Sequence, residues 1–498
     1  MTLAAPPATF GLSALRQRLD AVAEVLTDSE STRTVPDDPG QAAAELLRSF
    51  VTELVERPER DRVWLLLVAL SGTFPLDDDV RDAQRTCELS SVTEATVWLL
   101  EWAHGAAVVR ESGSYELRLV RDGVVVDVDF TAKHDLQTGV QRVVRRVMPR
   151  WARDHDVHLA VWSHHAGALR ALDDDEQERV LRWVRPLSRP APSCGNSMLI
   201  VPWRSTVVLP EVPGREQCAR LAALAEHSGN RLAAVAHDCV PVLSADLMPE
   251  AEPNRFVRYL SLVKHGDVLA GVSASAAQEF RGFVEALPTQ GLVGPRVVSC
   301  PLATEAPATD PGVPPAAAGE LPSILVVGSH EPRKNHLAVL HASEVLWREG
   351  LRFRVRFVGG SGWTTVAFDR QLDRLLDAGR PVTAERGMDD EQLWDAYRTA
   401  RFTVFPSLHE GYGLPVVESL ALGTPVVATD YGSIAELAEV GGMVLVDPRD
   451  DQALTDTMRR LITDDDEVAR LRQESLSRPV RTWDDYARDL WRHLVVDR

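Results

Sequence analysis

The chain lacks an excess of positive charge, paired cysteines, a long apolar run and a basic leader, and each absence excludes a class of protein. Against 73 acidic residues stand 54 Lys and Arg, a net charge of −19. A nucleic-acid partner needs a basic footprint to offset its phosphates, so this balance speaks against one. The five cysteines (Cys87, Cys194, Cys218, Cys239, Cys300) are odd in number and scattered, with no Cys-x-x-Cys pair. They read as reduced thiols, and offer neither a disulfide framework nor a zinc site. The longest apolar run, residues 63–70, falls far short of the ~20 residues a membrane-spanning helix requires. No basic segment followed by an apolar block opens the chain, so no secretory leader is expected. A cytoplasmic protein is expected, with peripheral contact to the inner face of the cell membrane left open.

What is present is globular: 45% hydrophobic and 26% charged residues over 498 positions, enough for about three units of roughly 150 residues. Residues 1–118 read as helical, with Leu15, Leu19, Val22 and Val25, then Leu46, Leu47, Phe50, Val51 and Leu54, at helical spacing. They carry no recognisable chemistry. Residues 115–130 read as a strand, an Asp122-Gly123 turn and a second strand. Over 119–305, apolar runs at 124–130, 158–162, 206–209, 232–236, 268–272 and 296–299 alternate with helical stretches, which predicts a mostly parallel sheet covered by helices. Residues 306–322, rich in Pro and Ala, read as a linker. A second βα series fills 323–480, with strands at 324–327, 353–358 and 444–446 and a helix over 337–349 stopped by Gly350. The segment 481–498 carries a last helix over 483–494, with Thr482 as its N-cap. The fold class is therefore α/β, with two doubly wound domains whose strand ends face a cleft, and an extra amino-terminal helical domain.

Two segments carry chemistry. In the first, 405–430, a strand runs into a loop holding Glu410, Gly411 and Gly413, and Pro415 suits the first turn of the helix that follows. The free N–H groups of that helix start, beside glycines that permit close approach, make an anion site. Two carboxylates beside such a site, Glu410 and Glu418, would repel a phosphate unless they had another task, and accepting hydrogen bonds from sugar hydroxyls is one. The bland alternative is a surface loop acid and a helix-dipole acid. In the second, 324–336, a strand ends at Gly328, and Arg333 and Lys334 stand at the entrance to a helix, where the dipole disfavours cations. A bidentate guanidinium and a point-charge ammonium suit a diphosphate there, the alternative being a solvated basic pair.

Together the segments resemble the retaining glycosyltransferases of family four, the group-one family, with its Glu-x7-Glu motif inside EGxGLPxxEAxAxGxPVxA and its preceding GxxEPRKN. The match is dense over 324–448. It extends to residues 358–363 and 389–397, and Tyr412 stands for the family's Phe and Ser419 for its Ala. The resemblance implies the GT-B fold, two Rossmann-like domains, with Arg333 and Lys334 on the donor diphosphate, Glu410 and the backbone of Gly411, Tyr412, Gly413 and Leu414 at the sugar and phosphate, and Glu418 on the ribose. Gly328 joins this donor set. In the first half, Thr138-Gly139-Val140-Gln141-Arg142 resembles the family's TGIxR turn, which adds Gly139 to the donor side and Arg142 to the acceptor side. His237-Asp238 resembles its HD pair, with His237 at the reaction centre beside Glu410, Arg333 and Lys334, and Asp238 toward the acceptor. A buried core histidine is the alternative for His237, and the donor site for Arg142. Ser273 matches a frequent family serine.

Three further features are weighed. The arginines at 142, 145, 146, 150 and 153 form a stripe that reads first as a solvated face, and second as a contact for a lipid-linked diphosphate or an anionic membrane. Asp127-Val-Asp129 has the form of a metal motif, but no metal and no cofactor are expected. Ser433-Ile-Ala-Glu436 has the form of a capping box and reads as structural. The expected function is transfer of a sugar, mannose or rhamnose, from a nucleotide-diphosphate sugar to a glycan or lipid-linked acceptor in polysaccharide synthesis. A GT-B nucleotide-sugar epimerase or phosphorylase, and a non-catalytic sugar-nucleotide-binding protein, stand as alternatives.

Overall fold

The computed structural model describes residues 11–27, 38–183, 198–305 and 321–497, so nearly all of the expected linker lies outside the described residues. Two sheets organise the molecule. The first contains β1 (Glu116–Arg121), β2 (Val124–Asp127), β3 (Val157–Trp162), β4 (Leu169–Ala171), β5 (Met198–Trp203), β6 (Thr206–Leu209), β7 (Arg231–Ala236), β8 (Val268–Gly271) and β9 (Arg296–Ser299). Their order is β1-β5-β4-β3-β2-β6-β7-β8-β9, antiparallel only where β4 pairs.

The second sheet contains β10 (Ser323–Val327), β11 (Arg354–Val358), β12 (Val382–Glu385), β13 (Phe402–Phe405), β14 (Val426–Thr429) and β15 (Met443–Val446). Its order is β12-β11-β10-β13-β14-β15, parallel throughout. β13 and β14 are buried at every position, as strands covered by helices on both faces must be. Successive strands are added to one side of β10 as far as β12 and to its other side from β13 onward, so the winding of the sheet reverses between β10 and β13. The loops after those strands therefore part and leave a crevice at their carboxyl ends. Both chemistry-bearing segments leave the sheet there.

Three expectations need correction. Residues 115–130 do not form a hairpin. β1 pairs in parallel with β5 and β2 with β3 and β6, so Asp122-Gly123 is a bend by which the chain passes from the edge strand β1 to β2 in the middle of the sheet, with Asp122 at φ 53°. The boundary expected at 118 thus falls inside β1. The amino-terminal helices are also not a separate body. Leu19, Val22, Phe50, Trp64 and Leu67 share one core with Val125, Trp162, Val207 and Leu232 of the first sheet. A sheet with apolar side chains on both faces needs cover on both, and these helices supply one of them. Arg18, fully buried, ties them down by donating to the carbonyls of Ala69 (2.7 Å), Leu70 (3.1 Å) and Tyr115 (2.7 Å), and burial lowers its pKa to about 10.

The last helix, Trp483–Trp491, begins with a reciprocal cap between Thr482 and Asp485 and is followed by a wider turn, Arg492–Val496. It crosses back to the first domain, where Trp151 donates its indole N–H to the carbonyl of Ala487 at 2.9 Å. This crossing disposes of the arginine stripe. Arg150 and Arg153 are ion-paired with Asp484 at 3.2 and 2.8 Å, Arg145 is buried against Trp183 and Arg142 is paired across the cleft, leaving Arg146 exposed.

Candidate functional site

The loop after β10 carries Gly328, whose φ of 147° is open to glycine, and then a short turn, Pro332–Lys334. That turn aims both cations inward. Arg333 meets Glu410 at 2.9 Å and Glu331 at 2.5 Å, and donates to the carbonyl of His409 at 2.6 Å. Lys334 meets the other oxygen of Glu410 at 2.5 Å. Burial alone would raise the Glu410 carboxyl, but the two cations hold it at about 2. Burial lowers the Lys334 amine, whereas Glu410 and Glu331 hold Arg333 above its ordinary value despite burial. The sequence-predicted trio Arg333, Lys334 and Glu410 is thus one buried cluster, an anion already on its cations.

Gly413 (φ 105°) is the N-cap of helix Leu414–Ala421, with Pro415 in its first turn. Facing it, helix Gly139–Asp154 of the first domain begins at Gly139, where an added Cβ would lie 3.6 Å from Leu414. Two helix amino ends with unpaired N–H groups therefore meet across the cleft. Glu418, inside the second helix, accepts from the hydroxyl of Tyr397 at 3.0 Å and is ion-paired with Arg142. Arg142 thus stands with the Glu418 carboxylate.

His237 and Asp238 follow β7. His237 Nε2 lies 2.8 Å from the carbonyl of Pro210, which can only accept, so Nε2 carries the hydrogen, and burial lowers the ring's pKa. Asp238 is raised by burial, against the pull of Arg333. Gly411 rests on this pair: an added Cβ would overlap the carbonyl of His237 and lie 3.0 Å from Asp238 Oδ2. Its own carbonyl accepts from Ser273 Oγ at 2.7 Å. Tyr412, expected at the donor through its backbone, turns its side-chain hydroxyl to the carbonyl of Leu302 at 3.0 Å, at the joint between the domains.

Sequence reasoning missed several members. His409 bridges Ser244 Oγ (2.8 Å, through Nδ1) and Glu279 (2.8 Å, through Nε2), both in the first domain. Burial opposes the charged ring, but Glu279 outweighs it and raises the pKa. The only signal was a histidine beside Glu410. Glu436 was read as half of a local cap, yet its carboxylate accepts from the backbone N–H groups of Ala274 (2.9 Å) and Ser275 (2.6 Å), capping a helix of the other domain. Ser433 donates instead to the carbonyl of Glu410 at 2.8 Å.

Asp127 and Asp129 are spent on the fold. Asp127 accepts from the Trp162 indole at 2.8 Å, and Asp129 from the Trp162 N–H (2.8 Å), with Lys133 at 2.5 Å. A recess of about 590 Å³ lies at the edge strand β12, bounded by Arg356, Glu385, Arg386, Met388, Gln392 and Thr399, and includes none of Arg333, Lys334, Glu410 or Glu418.

Two facing doubly wound domains, with a buried cluster of two cations and a carboxylate at the switch point of the second, define the GT-B fold class. The catalytic domain of starch synthase IV from Arabidopsis thaliana, bound to ADP and acarbose, superposes with a TM-score of 0.50 at 11% identity, covering 76% of this chain and 99% of that one. The model of the family described as glycosyl transferases group 1 matches residues 314–478, which include the second domain. The chain is similar to the serotype-specific mannosyltransferase WbdA of Escherichia coli, with 27% identity over 64% of this chain and 40% of the relative. It is also similar to the O-antigen chain mannosyltransferase B of Escherichia coli, with 34% identity over 28% of this chain and 37% of the relative. The chain thus spans about two fifths of the length of these curated relatives. No helix among the described residues is long and apolar enough to cross a membrane.

Proposed function

We propose that the chain is a retaining, metal-independent glycosyltransferase that moves a hexose, mannose first among candidates, from a nucleoside diphosphate sugar to a hydroxyl of a glycan or lipid-linked acceptor in polysaccharide assembly. The observation that carries the reading is the buried cluster of Arg333 and Lys334 on Glu410, at the strand ends where the sheet order reverses. The names of the two Escherichia coli relatives favour mannosyl transfer.

The costly feature of the reaction is negative charge on the phosphate oxygen that leaves the anomeric carbon. A guanidinium, an ammonium and the N–H groups at the start of helix Leu414–Ala421 stabilise that charge without a divalent ion. Glu410, kept ionised, accepts hydrogen bonds from the sugar's hydroxyls, and Glu418 from those of the ribose. As the bond from the anomeric carbon to phosphate breaks, the acceptor oxygen bonds that carbon from the same face. The acceptor's proton passes to the leaving phosphate oxygen. His237 and Asp238 line the acceptor's approach. The contacts now bridging the domains part to admit the donor and re-form to exclude water. A lipid-linked acceptor, with peripheral membrane contact, is met elsewhere than on the arginine stripe, three of whose five arginines are ion-paired within the fold.

The test is turnover in EDTA of GDP-, UDP- and dTDP-sugars, with and without an alkyl α-mannoside, and the anomeric configuration of the product read by NMR. The reading expects turnover of GDP-mannose that needs the acceptor, an α-linked product and loss of activity in Lys334→Ala. Donor conversion without acceptor, a β-linked product or activity abolished by EDTA overturns it.

A further inference from the structure

We propose that Glu111, His164 and His165 bind one divalent transition ion of the zinc class, clamping the last amino-terminal helix to the first sheet. Their ligand atoms all lie within 4.8 Å of one another. The imidazole rings stand 4.1 Å apart, centre to centre, and His165 Nε2 lies 3.9 Å from Glu111 Oε2. With metal–ligand bonds of about 2.1 Å, small side-chain rotations bring the three donors onto one ion.

The backbone holds this convergence at a cost. Glu111 caps helix Val92–Arg110 at φ 52°, and His165 and Ala166, in the turn between β3 and β4, stand at φ 59° and 49°. All three are left-handed conformations that residues with a Cβ rarely adopt. The turn is pinned by the Phe74 N–H on the carbonyl of Gly167 (2.9 Å) and by Arg110 on the carbonyl of His165.

Charge points the same way. Among the described residues the sole ion-pair partner of Glu111 is His165, while the neighbouring Arg110 turns to Glu216 at 3.7 Å. A carboxylate facing two imidazoles, with no Lys or Arg on it, lacks a cation. The contrast is the cluster Asp77, Glu226 and His227, where Arg81 already supplies one at 2.7 and 2.6 Å. Two imidazoles and one carboxylate suit zinc and its neighbours over calcium or magnesium, which take oxygen donors. Three protein ligands in an exposed position leave the fourth place to water. The site joins two parts of the fold and lies outside the donor cluster, so it stands or falls apart from the proposed reaction.

The experiment uses the full chain without a tag, stripped of metal, and titrates Zn2+ in competition with a chromogenic chelator. One zinc per chain is expected. Binding is lost in His164→Ala and His165→Ala, weakened in Glu111→Gln and unchanged in Glu226→Gln. Zinc also raises the melting temperature of the native chain and leaves that of His164→Ala unmoved. A native chain that takes up no stoichiometric zinc, or a double His164→Ala, His165→Ala variant that binds it as well as the native chain, overturns the proposal.

Discussion

Arg142, near the start of the first domain's long helix, is ion-paired with Glu418 inside the second domain's helix, so the two helices whose amino ends meet across the cleft are also joined by a salt bridge. The Tyr397 hydroxyl holds the other oxygen of Glu418. Arg142→Ala leaves a largely buried carboxylate with one partner. Breaking such a pair from one side costs about 3 kcal/mol. A lower denaturation midpoint is expected, and with it weaker donor binding by calorimetry, because Glu418 loses its fixed position.

Gly411 lies against the backbone of His237. Gly411→Ala places a methyl group where that carbonyl stands, and the two domains cannot close on each other. One core lies wholly within the first domain and one within the second, beside a third that both share, so the expected result is a larger radius of gyration by X-ray scattering, with turnover reduced about 100-fold or more. An unchanged radius with full turnover would contradict the closed arrangement of residues 237–238 and 411.

The Glu410 carboxyl, held at about 2 against an ordinary 4.5, links stability to acid. A lowered carboxyl contributes stability that is present above 4.5 and is lost as the pH falls toward 2, and this difference corresponds to about 3 kcal/mol. In Lys334→Ala one of its two cations is gone and the carboxyl is less depressed, so the loss below 4.5 is smaller and is complete at a higher pH. Urea denaturation from pH 2.5 to 6, native against variant, measures it.

His409 has the opposite sign. Its pKa is raised by Glu279, so its contribution is complete below about 6.5 and disappears as the pH rises through the raised value. His409→Gln removes that dependence and leaves a smaller gap between the denaturation midpoints at pH 6 and pH 8 than the native chain shows.

How much of this was legible follows from how local each signal is. β10 and β13 are short apolar runs ended by Gly328 and Pro406, and β10 and β15 begin and end within a residue of where such runs predict. The Glu410, Arg333 and Lys334 trio was legible for the same reason: each lies in a loop directly after a strand. The hairpin at Asp122-Gly123 was misread because a local turn rule outweighed a pairing partner some 80 residues away, Met198–Trp203, itself missed as a strand. Glu436 has the spacing of a local cap but finds its N–H groups in another domain. His409, Glu279 and Ser244 come together only when the domains face one another, and no spacing in one sequence encodes that. The arginine stripe was real as a helix face, but Asp484, more than 300 residues on, covers it.

The measurement closest to the central claim is a crystal structure of the chain with a nucleoside diphosphate sugar, grown in EDTA. The account predicts the diphosphate oxygens on Arg333 and Lys334, with the N–H groups at Gly413 and Leu414 completing the cradle and Glu410 turned to the sugar. A nucleotide bound with its phosphates away from those two side chains, in the recess at Glu385 and Met388 or elsewhere, would contradict it.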